Sequence, residues 1–414
     1  MDSETPNPAH LEADSMLARK FGKETVHYFA GSPLNRVSFL RSDSSFLSAA
    51  LRHKSTKFLL FNQLAPLTRS ISELYFACFK EVEPVVPSDL FEKTEEEVLK
   101  SFDSRNASPL VVFLGLGDSQ AEDGLKFNSY QGVPHFAIDI TPKGSYESQS
   151  KTVIQSLEAK GLSFDTSRIV SAMSADHAAI FAQSRALIDW NTRNAFCGAC
   201  GHPTIPVEAG GKRACPPTDL GLVASGTSTD GCKPPCHTRN TISNLSFPRT
   251  DPTIIAAVIS HDGKRILLGR GKRYPPNWYS TLAGFIEAGE SVEDAVRREI
   301  WEEAGVILAR VIIHSTQPWP YPANLMIGAI GQVASPEHET IRLDHDPELE
   351  DAKWFDIAVV EEALKNGTSS LGDGPGPNYK EGALRLPPKT AIAHHLISAA
   401  INDEFLKPFY APKI

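Results

Sequence analysis

Three glutamates in the C-terminal half of the chain have the residue type and spacing needed to bind a hard metal cation. Glu299, Glu302 and Glu303 stand at positions i, i+3 and i+4 of a segment that the sequence predicts to be helical. Their carboxylates therefore share one helical turn, where they repel one another unless a cation lies among them. Carboxylate oxygens in such a cluster suit Mg²⁺ or Mn²⁺. An isolated Glu-x2-Glu-Glu run is usually a solvated helix face, so the surrounding residues must decide between the two interpretations.

The residues around the glutamates predict a helix with defined ends. Ser291 followed three residues later by Asp294 is an N-cap pattern, and Gly305 is a natural C-terminal stop. Apolar residues recur every four positions between these ends, at Val292, Val296, Ile300 and Ala304. Arg298 lies four residues before Glu302 and can neutralise part of the negative charge. The helix should therefore bury one face and present acidic groups on another.

The whole segment matches the Nudix box. Residues 284–306 fit the pattern Gly-x5-Glu-x7-Arg-Glu-U-x-Glu-Glu-x-Gly-U, where U is aliphatic, at every specified position. Residues 251–400 therefore resemble a Nudix hydrolase, a family that hydrolyses nucleoside diphosphates linked to another moiety. The resemblance implies that Glu299, Glu303 and the backbone carbonyl of Ala283 bind catalytic Mg²⁺ or Mn²⁺. It also implies that Glu302 is a further ligand or a residue behind the ligands, and that Arg298 orients the cluster.

The family also brings an acidic residue to the site from a downstream loop. Residues 347–355, Pro-Glu-Leu-Glu-Asp-Ala-Lys-Trp-Phe, occupy that place in this chain. We therefore expect Glu348 to join the metal ligands, with Glu350 as its rival. The sequence leaves open which carboxylate deprotonates the attacking water.

A proline-stiffened aromatic segment, residues 317–324, begins eleven residues after the Nudix box. Its alternating rings could form a rigid wall for a flat ligand, and a polyproline II loop is the alternative. The segment resembles the Ser-Gln-Pro-Trp-Pro-Phe-Pro-x-Ser motif of NADH pyrophosphatases, a motif that marks dinucleotide preference; here Thr316 and Asn324 replace its serines. The resemblance implies substrate contacts at Gln317, Pro318, Trp319, Pro320, Tyr321, Pro322, Ala323 and Asn324.

The resemblance to NADH pyrophosphatases, of the zinc-ribbon-containing, fungal peroxisomal type, covers most of the chain. A cysteine-rich segment followed by Phe247-Pro-Arg-Thr-Asp-Pro keeps the domain order of that group, and residues 27–41 resemble its N-terminal domain. We expect Trp319 or Tyr321 to be the ring partner of the dinucleotide, although Trp319 could instead pack in the core. Phe247 and Ala393 match further substrate contacts of the family.

A cluster of cysteines predicts a structural metal site. Five of the six cysteines lie between residues 197 and 236, and only Cys78 lies elsewhere. Such clustering favours a metal over disulfides. Four thiolates leave no open position for water, so one structural Zn²⁺ is expected at Cys197, Cys200, Cys215 and Cys236. Cys232 is the alternative fourth ligand, and a redox Cys-x2-Cys pair is the alternative to zinc.

The composition is that of a globular protein with two or three domains. The 414 residues are 41% hydrophobic and 22% charged, with a formal net charge of −9. The negative charge argues against nonspecific binding to nucleic acid or to an anionic membrane surface. No apolar run approaches the roughly 20 residues needed to cross a bilayer.

Apolar runs and their boundaries predict the remaining elements. Strands are expected near Lys57, Pro109, His135, Thr253 and Arg265, and helices at 88–102, 172–190 and 389–402. Residues 216–235 and 366–379 are expected to be long loops. The expected fold class is α/β (α+β), with a Nudix α/β/α sandwich, a zinc ribbon and an N-terminal mixed α/β domain. The predicted divisions are a flexible tail at 1–30, the N-terminal domain at 31–192, the zinc ribbon at 193–247 and the Nudix domain at 248–414.

The resemblance implies an enzyme, an NADH/NAD⁺ diphosphatase. It would hydrolyse the pyrophosphate bond of NADH, and less well of NAD⁺ or related dinucleotides, to reduced nicotinamide mononucleotide and AMP. Removal of NAD caps from RNA 5′ ends by the same site, or a zinc-ribbon adaptor without catalysis, are the alternatives. We expect a homodimer with a small-molecule substrate, no membrane partner and no nucleic acid other than NAD-capped RNA. Because Pro412-Lys-Ile414 loosely resembles the Ser-Lys-Leu address, peroxisome and cytoplasm are the expected locations.

Overall fold

The computed structural model describes residues 25–167, 172–240, 247–345 and 348–402. They divide into two compact units: an N-terminal unit with Phe29–Arg249 and Pro320–Ala323, and a C-terminal unit with residues 25–28, Thr250–Trp319 and residues 324–402. The predicted tail up to residue 24 and the C-terminal Pro412-Lys-Ile414 lie outside the described residues. Among the described helices, none combines the length and hydrophobicity that a membrane span requires.

The N-terminal unit contains a mixed β-sheet. Its strands are β1 (Lys57–Asn62), β2 (Ala65–Ser70), β3 (Glu73–Leu74), β4 (Phe76–Ala77), β5 (Leu110–Gly117), β6 (Leu125–Phe127), β7 (Tyr130–Asp139) and β8 (Ser163–Phe164). The main path runs β3-β2-β1-β7-β5, with β1 parallel to β7 and β5 antiparallel to β7. Phe58, Phe113 and Phe136 are fully buried and pack ring against ring at its centre. The strands predicted near Lys57, Pro109 and His135 are confirmed.

Helices cover this sheet. They are α1 (Ser44–Arg52), α2 (Phe79–Val82), α3 (Glu95–Lys100), α4 (Glu147–Glu158) and α5 (Ala175–Arg193). The helix predicted at 172–190 is confirmed, displaced by three residues because Ser174 caps its start. The helix predicted at 88–102 is wrong in its first half. Thr94 and Glu97 form a reciprocal capping box that starts α3 at Glu95.

The cysteine-rich segment belongs to the N-terminal unit. It contains β9 (Ile205–Val207) antiparallel to β10 (Lys212–Ala214), and a short helix, α6 (Leu220–Ala224). The prediction that residues 216–235 form only a loop is wrong at α6. Asp219 Oδ1 accepts hydrogen bonds from the amides of Gly221 and Ser104, both at 2.9 Å. One side chain thus caps α6 and ties it to the segment that follows α3.

The C-terminal unit is a three-layer α/β/α sandwich. Its strands are β11 (Asp251–Ile259), β12 (Arg265–Gly271), β13 (Leu282–Phe285), β14 (Leu308–Trp319), β15 (Asn324–Val333) and β16 (Leu349–Asp356); its helices are α7 (Val292–Ala304), α8 (Ile357–Asn366) and α9 (Ile392–Ile401). The sheet order is β14-β15-β11-β12-β16, with β13 paired to β11. Along β11, Ile254, Ala256 and Val258 are buried in the core that contains α7. Ile255, Ala257 and Ile259 are buried in the core that contains α8 and α9. This alternation confirms the predicted sandwich.

Candidate functional site

Helix α7 forms as its sequence predicts. Ser291 Oγ accepts a hydrogen bond from the amide of Asp294 at 3.2 Å, and Gly305 ends the helix with φ of 71°. Val296, Ile300 and Ala304 are fully buried in the core of the C-terminal unit. The buried stripe fixes the rotation of the helix about its axis, and therefore the direction in which the glutamates project.

Glu299 points at the backbone of β13. A Cβ atom built on Gly284 would lie 2.0 Å from the Glu299 carboxylate carbon, so only glycine leaves room for this side chain. Ala283, whose carbonyl is the predicted backbone ligand, directly precedes Gly284 in the strand. The helix and the strand therefore bring together the predicted carboxylate and the strand that carries the predicted carbonyl.

Arg298 joins the carboxylates into one network. Its Nε and Nη2 donate to the two oxygens of Glu290 at 2.6 and 2.9 Å. Its Nη1 donates to Glu299 and to Glu302, both at 2.9 Å, and Nη2 also donates to the carbonyl of Phe285 at 2.8 Å. A planar guanidinium can hold several acceptors at fixed angles, which an ammonium group cannot. Arg298 therefore positions the acidic groups as well as partly neutralising them.

Burial and neighbouring charges act against each other at this network. Burial raises the pKa of Glu299, the hydrogen bond and charge of Arg298 lower it, and the charges of Glu302 and Glu348 raise it again, with a net increase. The hydrogen bonds from Arg298 lower the pKa of Glu290 to about 2. The arginine thus stabilises the charge of Glu290 fully, but leaves Glu299 with excess negative charge around it.

The structure separates the two downstream candidates. The charge of Glu348 acts on Glu299 and on the phenol of Tyr274. Glu350 instead forms an ion pair with Arg270, with Oε2 at 2.8 Å from Nη1. Glu348 is therefore the one of the two that faces the carboxylate cluster.

The donor set fits a divalent cation. Glu303 is only 4% exposed, and burial together with the charges of Glu303 and Glu348 raises the pKa of Tyr274. The carboxylates of Glu299, Glu302, Glu303 and Glu348 outnumber the single guanidinium of Arg298 that is hydrogen-bonded among them. Partly buried carboxylates in excess gain from a hard cation with oxygen ligands. The arrangement can therefore hold Mg²⁺ or Mn²⁺ and concentrate it against an anionic substrate.

The predicted substrate segment is divided between the two units. Residues up to Trp319 and from Asn324 belong to the C-terminal unit, and Pro320–Ala323 to the N-terminal unit. Gln317 is fully buried; its Nε2 donates to the carbonyls of Tyr28 and Thr390, and its Oε1 accepts from the amide of Ile392, all at 2.9 Å. These bonds indicate a positioning role, whereas a direct contact of Gln317 with substrate stays a prediction.

The two aromatic candidates differ in their surroundings. Trp319 is partly buried at the end of β14, where it pairs with Asn324. The Tyr321 ring lies 6.3 Å from that of Phe181 and carries the Arg185 guanidinium above it at 4.8 Å. Because Tyr321 is packed within the N-terminal unit, Trp319 is the more accessible of the two for stacking.

The other predicted contacts differ in exposure. Phe247 is 41% exposed, with Lys212 Nζ 5.6 Å above its ring. Asn324 is buried and donates to Thr253 Oγ1 at 2.9 Å, and Ala393 is buried in the core around α9. Pro318 is partly buried and Pro322 is exposed. Their substrate contacts stay predictions.

Four cysteines of the N-terminal unit converge. The sulfur atoms of Cys197, Cys200, Cys215 and Cys236 all lie within 4.8 Å of one another. Those of Cys197 and Cys236 are 3.8 Å apart, and those of Cys200 and Cys215 are 3.6 Å apart. A tetrahedron with Zn–S bonds of about 2.3 Å has edges of about 3.8 Å, so the donor set fits Zn²⁺. Cys232 is exposed and is not part of this cluster.

Sequence reasoning assigned no role to two residues of the site. Glu290 is the bidentate partner of Arg298, and Tyr274 lies within the field of Glu303 and Glu348. The box pattern itself contains Glu290 and could have suggested its role. No sequence signal marks Tyr274, because its place depends on the loop between β12 and β13.

Known proteins match nearly the whole chain. The family models described as NADH pyrophosphatase-like rudimentary NUDIX domain, NADH pyrophosphatase zinc ribbon domain and NUDIX domain match residues 55–190, 193–220 and 250–371. The chain is 35% identical over 397 residues to the NAD-capped RNA hydrolase of Schizosaccharomyces pombe, covering 94% of this chain and 97% of that protein.

Two further relatives extend the comparison. NAD-capped RNA hydrolase NPY1 of Saccharomyces cerevisiae is 33% identical over 400 residues, with 90% of this chain and 94% of that protein covered. The mitochondrial NAD(P)H pyrophosphatase NUDT13 of Mus musculus is 33% identical over 292 residues, with 70% and 74% covered. By these matches the chain belongs to the Nudix hydrolase family, in its NADH pyrophosphatase group, a family of hydrolases that act on phosphorus-containing anhydrides.

Proposed function

We propose that this chain hydrolyses the pyrophosphate bond of NADH, and less well of NAD⁺, to give reduced nicotinamide mononucleotide or its oxidised form and AMP. The observation that carries the proposal is the network in which Arg298 holds Glu290, Glu299 and Glu302 beside the glycine of β13. A relative described as an NAD(P)H pyrophosphatase supports the substrate class.

The site residues have distinct tasks in this proposal. Glu299, Glu303, Glu348 and the carbonyl of Ala283 hold divalent cations, Mg²⁺ or Mn²⁺. When bound, such cations neutralise the diphosphate and lower the pKa of a water molecule. Arg298 and Gly284 keep the carboxylate of Glu299 aimed at one place, which is what phosphoryl transfer chiefly requires of a protein.

The reaction itself is a displacement at phosphorus. A water oxygen bonds to one phosphorus atom, and the bond from that atom to the bridging oxygen breaks. One carboxylate of the cluster, Glu302 or Glu303 among the candidates, accepts the proton of the water. Trp319 stacks on one ring of the dinucleotide, and Phe247 and Ala393 line the remaining contacts.

Removal of NAD caps from RNA is the second candidate function. It uses the same bond and the same carboxylates, so the geometry of the site does not separate it from dinucleotide hydrolysis. The relatives from Schizosaccharomyces pombe and Saccharomyces cerevisiae that are described as NAD-capped RNA hydrolases favour it. A zinc-ribbon adaptor without catalysis is disfavoured by the complete carboxylate network.

The proposal includes a structural role for zinc. One Zn²⁺ bound by Cys197, Cys200, Cys215 and Cys236 would hold the cysteine-rich segment together and leave no position for water. The guanidinium of Arg239 donates to Cys215 Sγ at 3.7 Å, which offsets part of the charge of four thiolates. A homodimer, and a location in peroxisome or cytoplasm, complete the proposal on the strength of the family resemblance.

The test is a product assay on wild type, Glu302→Gln and Glu303→Gln. NADH, NAD⁺ and NAD-capped RNA are incubated in parallel with Mg²⁺ or Mn²⁺, and AMP or 5′-phosphorylated RNA is measured. We expect the variants to lose at least about 10²-fold in kcat, because they remove metal ligation or proton transfer. Asp294→Asn, on the exposed first turn of α7, is the matched control. Full activity in both folded glutamate variants would overturn the site assignment.

A further inference from the structure

Two cationic residues lie at the tip of the loop that joins β12 to β13. Lys272 and Arg273 are both exposed and directly follow Gly271, the last residue of β12. A turn closes behind them, because the amide of Tyr274 donates to the carbonyl of Gly271 at 2.9 Å. The turn therefore presents two positive charges, on a chain whose formal net charge is −9.

The loop is anchored at its base. Trp278 is almost completely buried; its Nε1 donates to the carbonyl of Ser369 at 3.0 Å, and its ring packs edge-on against Tyr274 with centroids 4.7 Å apart. The amide of Arg385 donates to the carbonyl of Asn277 at 2.7 Å. Because these contacts hold the loop from below, the two cations have a defined position relative to the sheet.

That position is beside the carboxylate cluster. In the pairing of β12 with β16, Gly271 lies opposite Leu349, so Lys272 continues the chain next to Glu348. On the other side of the turn, the phenol of Tyr274 lies in the field of Glu303 and Glu348. The loop tip thus borders the place where the proposed reaction occurs, without supplying any of its carboxylates.

The two substrates of the proposed function differ in what lies beyond the diphosphate. A free dinucleotide ends at its adenosine, whereas NAD-capped RNA continues with one phosphate per nucleotide. Those phosphates need cations outside the metal cluster, and an arginine with a lysine is a suitable pair for them. Building on the proposed function, we propose that Lys272 and Arg273 bind the first RNA phosphates downstream of the NAD cap.

The experiment compares two double variants of the full chain. Lys272→Gln/Arg273→Gln removes the loop cations. Lys365→Gln/Lys380→Gln removes two exposed lysines, one on α8 in the layer opposite α7 and one in the loop after it. For each protein, kcat/KM is measured on NAD⁺ and on a short single-stranded NAD-capped RNA over a series of salt concentrations.

For the loop variant we expect kcat/KM on the capped RNA to fall about tenfold or more at low salt. The slope of log kcat/KM against log salt should become shallower by roughly 1.4, since each phosphate contact on a single strand contributes about 0.7. Activity on NAD⁺ should stay within about twofold, and the control variant should match wild type on both substrates.

Three results would overturn the inference, and they are distinguishable. An equal loss on NAD⁺ and on capped RNA would mean that the cations act on the diphosphate itself. Unchanged activity and salt slope on capped RNA would mean that RNA does not reach the loop. Absence of turnover by wild type on either substrate would mean that the proposed function has failed, and the inference with it.

Discussion

The carboxylate carbon of Glu299 lies 2.0 Å from the point that a Cβ atom would occupy on Gly284. Alanine at this position must therefore displace the carboxylate. Since the displaced atoms are the end of a flexible side chain, the fold should tolerate the change. We expect Gly284→Ala to keep its thermal midpoint but to lose at least about 10²-fold in kcat/KM for NADH.

The matched control for Gly284→Ala is Gly372→Ala. A Cβ atom on Gly372 would meet nothing within 4 Å, so this variant should behave as wild type. An active Gly284→Ala protein would show that Glu299 leaves this position during turnover.

Arg298→Lys should weaken metal binding while keeping the positive charge. A lysine ammonium cannot reproduce the bonds that the guanidinium makes to Glu290, Glu299 and Glu302. Residues that orient metal ligands typically change affinity or activity by about 10–100-fold when replaced. A titration of activity with Mn²⁺ should show a higher half-saturating concentration. Arg297→Lys, the neighbour on the same helix, should leave the titration unchanged; equal shifts in both variants would contradict the orienting role.

Cys236→Ser and Cys232→Ser should separate the two candidates for the fourth zinc ligand. The sulfur of Cys236 lies in the cluster, whereas Cys232 is exposed. We expect Cys236→Ser to lose zinc, measured by elemental analysis of the purified protein, and to unfold at a lower temperature, because metal binding contributes to folding. Cys232→Ser should retain about one zinc per chain. The reverse result would make Cys232 the ligand.

Acidification should destabilise the N-terminal unit through His135. Burial lowers the pKa of this histidine from 6.5 to about 4 in the folded chain. Between these two pH values the unfolded chain binds a proton that the folded chain does not, so stability falls as pH decreases through this window, and is fully present above it. The loss attributable to His135 should reach roughly 3 kcal/mol near pH 4.

Denaturant unfolding at pH 7, 5.5 and 4 would measure this loss. His135→Gln should show a weaker pH dependence than wild type, since its side chain does not titrate. His261→Gln, which changes an exposed histidine, should follow the wild-type curve. If His135→Gln and wild type lose the same stability, His135 is not the source of the effect.

Gln317→Leu should reduce stability more than substrate affinity. The substitution leaves the carbonyls of Tyr28 and Thr390 and the amide of Ile392 without their partner, which should cost roughly 2–4 kcal/mol. Gln332→Leu, an exposed glutamine on the adjacent strand β15, should cost much less. A large rise in KM for NADH with unchanged stability would instead support direct contact between Gln317 and the dinucleotide.

Local patterns predicted much of the fold and the acidic helix. The N-cap at Ser291, the buried stripe and the stop at Gly305 act within one helix, so the order of residues along the chain suffices to define α7. The same reasoning misplaced the start of α3. Capping by Thr94 and Glu97 competed with the longer apolar pattern and prevailed.

The sequence by itself determined which residue types could form the site: one acidic helix, one cysteine cluster and the strands of a three-layer sandwich. Only the tertiary structure decided between Glu348 and Glu350, and between Cys236 and Cys232. Arg270 captures Glu350 through the pairing of β12 with β16, and the fold brings Cys236 to within 3.8 Å of Cys197, 39 residues away along the chain. Such choices depend on contacts between distant parts of the chain, and these exist only once sheets and loops have packed.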